Sequence, residues 1–158
     1  MTEATWRGVL QAAFRAAEAS APMEELPTAT LVAGVGVEGD RYATARGTYS
    51  HKPHEDRQVT LIEIEALEAV RRDYDIELLP RETRRNLLTR GVPLNHLVGR
   101  RFRVGEAVLF GGRLNVPCQY LEDLLRKRVF KPLIHRSGLN CRIERGGVVR
   151  PGDAIEPV

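Results

Sequence analysis

Two kinds of side chain within one short stretch could do chemistry together. Arg84 and Arg85 stand side by side between Glu82-Thr83 and Asn86, and Cys118 follows Pro117 at the end of the same stretch. A guanidinium is a rigid fork of donors that matches the edge of a phosphate or carboxylate, and two adjacent ones concentrate that capacity. A thiolate is soft, so Cys118 can act as a nucleophile or as a ligand for a thiophilic metal. Together they imply an anionic ligand that carries sulfur or a metal. Nine arginines lie between Arg71 and Arg103 against the acids Asp73, Asp75, Glu77 and Glu82, so the window is locally basic. Arginine is abundant throughout, however: every basic residue except Lys52, Lys127 and Lys131 is Arg. Only the adjacent pair rises above that background.

A second set of candidates lies in the polar loop between Gly34 and Arg57, where Asp40, Arg41, Tyr42, His51 and His54 could all line a site. His51 and His54 have a spacing that suits one helical face, but the intervening Pro53 opposes a helix, so they read as solvent-facing loop residues rather than metal ligands. Gly34, Gly36 and Gly39 fit a GxGxxG pattern. That fingerprint needs a helix starting at its last glycine, and Asp40-Arg41-Tyr42 followed by Gly47-Thr48-Tyr49-Ser50 reads as loop. The nucleotide reading is rejected and the glycines are kept as turn formers. Cys118 and Cys141 are the two thiols; neither belongs to a Cys-x-x-Cys pair, and they suggest no disulfide framework.

The elements that must position these residues are mostly short strands. A chain of 158 residues, 42% hydrophobic and 28% charged, suits one globular domain over 1–158. No apolar run approaches the length of a membrane span, and the N-terminus lacks the features of a secretory signal, so a cytoplasmic location is expected. Residues 5–20 present a conflict. Their alanines favour a helix, while Gly8-Val9-Leu10 could open a strand, and propensity alone favours the helix. Residues 28–33 and 58–62 read as strands, and 63–74 as an amphipathic helix. Residues 80–83 read as a helical turn and 86–90 as a strand. A hairpin is expected over 101–110, then a separate strand over 113–116 that delivers Cys118 to a helix over 120–127. Strands over 139–144 and 148–155, the latter broken by Pro151-Gly152-Asp153, complete a pattern that argues for a β-barrel. Cys141 falls inside one of these strands and reads as a small core residue. If Arg84 and Arg85 lay in regular β structure they would point to opposite faces, so at most one would approach a ligand. The other would pair with an acid such as Glu63 or Glu82.

An ordered series of short motifs runs along the chain: Gly39-Asp40-Arg41-Tyr42, Gly47-Thr48-Tyr49-Ser50, Val59-Thr60-Leu61-Ile62-Glu63, Thr83-Arg84-Arg85-Asn86, Gly91-Val92-x-Leu94-Asn95, Leu97-Val98-Gly99, Gly105-x-Ala107, Pro117-Cys118 and Gly147 to Asp153. In this order the chain resembles the MOSC domain, named for the C-terminal domain of molybdenum-cofactor sulfurase, in a small standalone form. The resemblance implies a mostly β fold: a closed or nearly closed antiparallel barrel, pyruvate-kinase-barrel-like, with a few peripheral helices. It therefore overrides propensity and makes residues 7–16 a strand. It also implies binding of the molybdenum cofactor, with Cys118 carrying sulfur or ligating molybdenum, and with Arg84, Arg85, Asn86, Asp40, Arg41 and Asn95 around the cofactor. Two departures stand out. Related chains often read Cys-Glu-Pro-Cys where this one has Asn115-Val116-Pro117-Cys118, so a two-cysteine relay has lost one thiol. The length also leaves no room for the pyridoxal-phosphate desulfurase domain of the sulfurase form.

Three functions are compatible with that resemblance: a molybdenum-dependent reductase of N-hydroxylated compounds, a sulfur carrier holding a persulfide on Cys118, and a non-catalytic cofactor-binding module. A reductase implies an electron-transfer partner, since no flavin motif or iron–sulfur cysteine cluster is present, and a carrier implies a desulfurase partner. Nucleic-acid binding rests on arginine content alone, without aromatic stacking motifs, and is not expected. Neither is a membrane partner.

Overall fold

The computed structural model describes residues 3–51 and 54–158 and contains eleven strands and two α-helices. In chain order the strands are β1 (Gly8–Arg15), β2 (Glu24–Leu26), β3 (Ala29–Val32), β4 (Gly36–Val37), β5 (Val59–Glu63), β6 (Leu87–Arg90), β7 (Arg101–Val104), β8 (Ala107–Leu114), β9 (Leu139–Arg145), β10 (Gly147–Val149) and β11 (Ala154–Pro157). The helices are α1 (Ile64–Tyr74) and α2 (Gln119–Leu125). Seven strands close a ring in the order β1, β6, β5, β9, β8, β7, β11 and back to β1, and β2 hangs on the far end of β1. A small sheet of β10, β3 and β4 lies beside it. The ring is the expected closed barrel. Its pairs are antiparallel except β5 with β6, which run parallel. Parallel neighbours cannot be joined by a tight turn, and here α1 lies in the connection between them.

The conflict over residues 5–20 is resolved in favour of the strand. Leu10 and Ala13 face the cluster inside the barrel, where Phe102, Leu109, Leu61 and Ile155 also sit. Ala12 and Phe14 face a second cluster outside it, shared with Leu67 and Val70 of α1 and Leu121 of α2. A regular strand would place Leu10 and Ala12 on the same face. A bulge between them, with Gln11 exposed, shifts the register against β6 and changes the parity. A strand buried on both faces needs small apolar residues on each, which is why this one is alanine-rich and resembles a helix when read locally.

Other boundaries differ in detail. The hairpin at 101–110 forms, but no separate strand follows it: β8 runs unbroken through Gly111-Gly112 to Leu114, with a register shift against β9. The chain passes Leu97 and Asp56 so closely there that a Cβ on Gly111 would lie 2.0 Å from the Leu97 carbonyl oxygen. The segment read as one broken strand, 148–155, becomes β10 and β11 in different sheets. Gly34, Gly36 and Gly39 all have positive φ and make the turns around β4, with no helix after them, as their reading as turn formers requires.

Glu63 ends β5 beside Glu65, whose own carboxylate accepts the Gly91 amide. Burial first, then the like charge of Glu65, raises the Glu63 carboxyl to about 7, partly opposed by the Leu94 amide. The folded pKa thus exceeds the ordinary 4.5. The associated stability is fully present below pH 4.5 and is lost as pH rises through 7. Because the carboxyl is partly solvated, its share is on the order of 1–2 kcal/mol, less than a fully enclosed carboxyl with the same pKa would contribute. Urea titrations at pH 5 and pH 8 should show the wild type losing that much more stability between them than Glu63→Gln. Equal losses would rule the effect out.

Candidate functional site

Cys118 is delivered by the end of β8. After Leu114 the chain runs out through Asn115-Val116-Pro117, and Cys118, in extended conformation, is the N-cap residue of α2. Its side chain is half-buried, with one side against the cluster beneath α2 and the other in a cleft of about 370 Å³. That volume lies at the lower end for small-molecule sites.

The same cleft takes both members of the Arg pair. They are not in a regular strand: Arg84 closes the helical turn Pro80–Thr83 in the left-handed conformation, at φ 62°, and β6 begins only at Leu87. The alternation that would send adjacent side chains to opposite faces therefore does not apply. Neither arginine pairs with Glu63 or Glu82; Glu82 is held by Lys127 at 2.9 Å instead. Arg84 donates from Nη1 to the Ala21 carbonyl at 2.6 Å, and its buried Nη2 has no partner among the described residues. Burial, followed by the neighbouring Arg41, lowers its pKa. Arg85 donates from Nε to the Ser137 carbonyl at 3.0 Å and from Nη2 to Ser137 Oγ at 3.1 Å and to Asn115 Oδ1. All of these acceptors are neutral. Burial lowers Arg85 to about 10, against the opposing effect of Cys118, so it remains a cation at neutral pH. Gly138 makes the Ser137 contacts possible: at φ 102° it lets the chain pass Leu61 so closely that a Cβ would sit 2.1 Å from that carbonyl oxygen.

Asp40 and Arg41 act as a unit. The buried Asp40 carboxylate accepts from the Ala16 amide at 3.1 Å, the Tyr42 amide at 3.2 Å and Arg41 Nη1 at 3.0 Å. Arg41 lines the cleft and ties it together by donating from Nη2 to the Arg84 carbonyl at 3.2 Å. Asp40 is thus placed behind the cleft, as the group that holds Arg41. Asn86 also sits behind it, with its side chain fully engaged. Oδ1 accepts from the Thr60 amide at 3.0 Å and Nδ2 donates to the Phe14 carbonyl at 3.2 Å, joining β1 to β5. Asn95 is not among the residues lining the cleft; it donates to the His135 carbonyl at 2.9 Å.

Several lining residues were not singled out from sequence. Tyr49, Arg57 and Arg113 come from the loop, the approach to β5 and the end of β8, and Asn115 and Asn140 complete a polar wall, joined at 2.9 Å. Only Tyr49, inside the motif Gly47-Thr48-Tyr49-Ser50, and Asn115, three residues before the cysteine, had a local signal. The partly buried Tyr49 hydroxyl is pushed up to about 12, first by the neighbouring Cys118 side chain and then by burial, so it stays protonated. Among the described residues five arginines line the cleft, namely Arg41, Arg57, Arg84, Arg85 and Arg113, and no carboxylate does.

His54 lies in a neighbouring cavity that shares Tyr42, Tyr49 and Arg57 with the cleft, and its Nδ1 accepts from the Asp56 amide at 3.1 Å. His51 is exposed, its Nδ1 3.1 Å from the Thr48 carbonyl oxygen. No group of three or more His, Cys, Asp or Glu that could hold a metal exists among the described residues.

The MOSC domain profile matches residues 48–156, more than half of the chain. The chain belongs to the MOSC domain family. A comparison with curated proteins finds no match. Among solved structures, the YuaD protein of Bacillus subtilis superposes with a TM-score of 0.80 at 20% identity, covering 96% of this chain and 97% of that one. YiiM of Escherichia coli gives 0.67 at 17% identity, covering 95% and 69%. YiiM of Geobacillus stearothermophilus gives 0.67 at 14% identity, covering 96% and 73%. At these identities the likeness is one of fold. This MOSC domain is a β-barrel, and no helix among its described residues is long and apolar enough to cross a membrane.

Proposed function

We propose that this MOSC domain binds the molybdenum cofactor in the arginine-lined cleft, with the Cys118 thiolate as the sulfur ligand offered to the metal. The observation that carries this reading is the convergence of five arginines, without a carboxylate, on a cleft that contains one thiol. The unpartnered Nη2 of Arg84 is a buried donor that a phosphate oxygen would satisfy, so the residues fit the anionic part of the cofactor. A dithiolene-held metal needs few protein ligands, and one soft thiolate suits molybdenum.

In this reading Arg84, Arg85 and Arg41 hold the anionic groups, and Asn115 and Asn140 offer donors and acceptors to the pterin edge. Tyr49 donates to the Cys118 sulfur and keeps it oriented. When bound, the cofactor supplies two-electron redox and oxygen-atom chemistry; the protein supplies the charged, partly enclosed cleft that positions it. Asp40 and Asn86 act from behind, through Arg41 and through the strands β1 and β5.

A second reading has one observation of its own. Cys141 is fully buried within β9, and burial raises its pKa well above the ordinary value, so Cys118 has no resolving partner in the described structure. A lone, half-exposed thiol can hold a persulfide, as a sulfur carrier does. Metal and sulfane-sulfur analysis of the protein purified from a cofactor-competent host separates the two. Stoichiometric molybdenum is expected. Sulfane sulfur on Cys118 without molybdenum would replace the first reading with the carrier, and absence of both would reject each.

A further inference from the structure

Beyond α2 the chain reads Arg126-Lys127-Arg128-Val129-Phe130-Lys131-Pro132-Leu133-Ile134-His135-Arg136, five basic residues and no acid. In the whole chain acids nearly balance bases, 21 against 24. The segment is therefore a local excess rather than a sample of the average surface. Elsewhere many surface arginines are neutralised by neighbouring acids, as in Arg101 with Glu144 and Arg90 with Glu68. Within this segment Lys127 is paired with Glu82 and Arg136 with Asp73 at 2.7 Å. Arg126, Arg128 and Lys131 are exposed and have no acid partner among the described residues.

Apolar side chains interrupt the charge. Val129 and Leu133 are buried beneath the segment, whereas Phe130 and Ile134 are 39% and 43% exposed. Phe130 and Ile134 therefore stand as two partly exposed apolar groups among the cations of the segment. An apolar centre with a charged rim is the anatomy of a protein interface.

One end of the segment is anchored at the cleft. It begins at the C-cap of α2, the opposite end of that helix from Cys118, and runs directly into Ser137, whose carbonyl and hydroxyl oxygens accept from Arg85. The rim of the cleft continues the apolar theme with Val116, which is 76% exposed. A partner seated on the segment would therefore contact the chain that leads into Ser137, and through it Arg85 of the cleft.

We propose that residues 126–136 form the docking surface for an acidic protein that works at the Cys118 cleft. This rests on the reading of that cleft as the functional site. The occupant is a protein with a carboxylate-rich rim and an apolar centre that receives Phe130 and Ile134. A second copy of this chain is disfavoured, because pairing the segment with itself opposes cation to cation. A bilayer is disfavoured because the segment contains no helix that could lie in the interface, and a nucleic acid because Phe130 is its one stacking aromatic.

The test places a photo-cross-linking amino acid at Phe130 in the full chain, expressed in its own cells, with the same photoprobe at Val148 in β10 as the control. The expected result is an adduct with one acidic protein, identified by mass spectrometry and absent from the control. The purified partner should bind wild type with an affinity that weakens as salt is raised. The variant Arg126→Glu/Arg128→Glu/Lys131→Glu should bind at least about 30-fold more weakly while retaining wild-type cofactor loading. An adduct with nucleic acid, lipid, a second copy or a non-acidic protein overturns the proposal. So does the lack of an adduct above control, or an adduct unchanged by charge reversal. Cys118→Ser separates the two levels: normal loading in that variant removes the functional reading, whereas an adduct retained despite lost loading leaves the docking surface standing.

Discussion

Cys118→Ser should abolish molybdenum and sulfane-sulfur loading and leave the barrel folded. The exchange replaces a soft sulfur by a hard hydroxyl of nearly the same shape, so it removes the ligand chemistry while disturbing little else. Partners that merely orient a metal ligand are typically worth 10–100-fold in metal affinity, so loss of the ligand itself should exceed about 100-fold. Stability should hold or rise slightly, because position 118 is the N-cap of α2 and now lacks a side-chain cap bond, which Ser is well suited to make. The contact with the cluster beneath α2 is the opposing consideration, since Cys118 packs against it. Cys141 cannot substitute: it is fully buried in β9 opposite Val59 and Gly111. Molybdenum content, cyanolysable sulfur and a thermal melt on the two purified proteins decide the matter. Wild-type loading in Cys118→Ser would make the thiol an apolar plug. A large loss of Tm would make it a structural residue.

Arg84→Met should separate binding from stability with opposite consequences for each. In the free protein Arg84 is a buried guanidinium with one hydrogen bond, to Ala21, and an unpartnered Nη2. A buried charge that is only partly satisfied contributes little to folding, and an apolar side chain of similar length removes its desolvation cost. The backbone carbonyl that accepts from Arg41 is kept, and Met meets the same left-handed φ that Arg already tolerates. Stability should therefore stay within about 1 kcal/mol of wild type. An anion bound in the cleft, by contrast, loses a buried charge-assisted partner, worth about 2–5 kcal/mol, so affinity should fall by at least about 30-fold. Cofactor loading and the phosphate-dependent rise of Tm measure the second effect, and urea titration the first. An unchanged affinity would remove Arg84 from the site. A loss of several kcal/mol in stability would show that its role is structural.

The sequence alone determined the family, the barrel and the place of Cys118 at a helix start. Short strands with glycine turns are local patterns, and Pro117-Cys118 followed by an amphipathic run places the cysteine at a helix start without knowledge of the fold. The Arg84–Arg85 pair was also legible, because adjacency is a property of sequence. What the pair does was not. Its two side chains reach one cleft because the turn Pro80–Thr83 ends with Arg84 in the left-handed conformation, which suspends the strand alternation that a local reading must assume. The strand β1 was legible only through resemblance, since an alanine-rich strand buried on both faces matches helix propensity better than strand propensity, and the bulge at Gln11 hides its alternation. The tertiary structure alone decided which polar residues face the cleft and which support it. Asp40 and Asn86 lie in the same motifs as Arg41 and Arg85, yet Asp40 is engaged by Arg41 and the amides of Ala16 and Tyr42, and Asn86 by backbone groups of β1 and β5, while Tyr49, Arg57, Arg113 and Asn140 converge from four separate segments. A polar side chain is committed to structure or left available by the partners that distant strands bring to it, and closure of the barrel sets those partners.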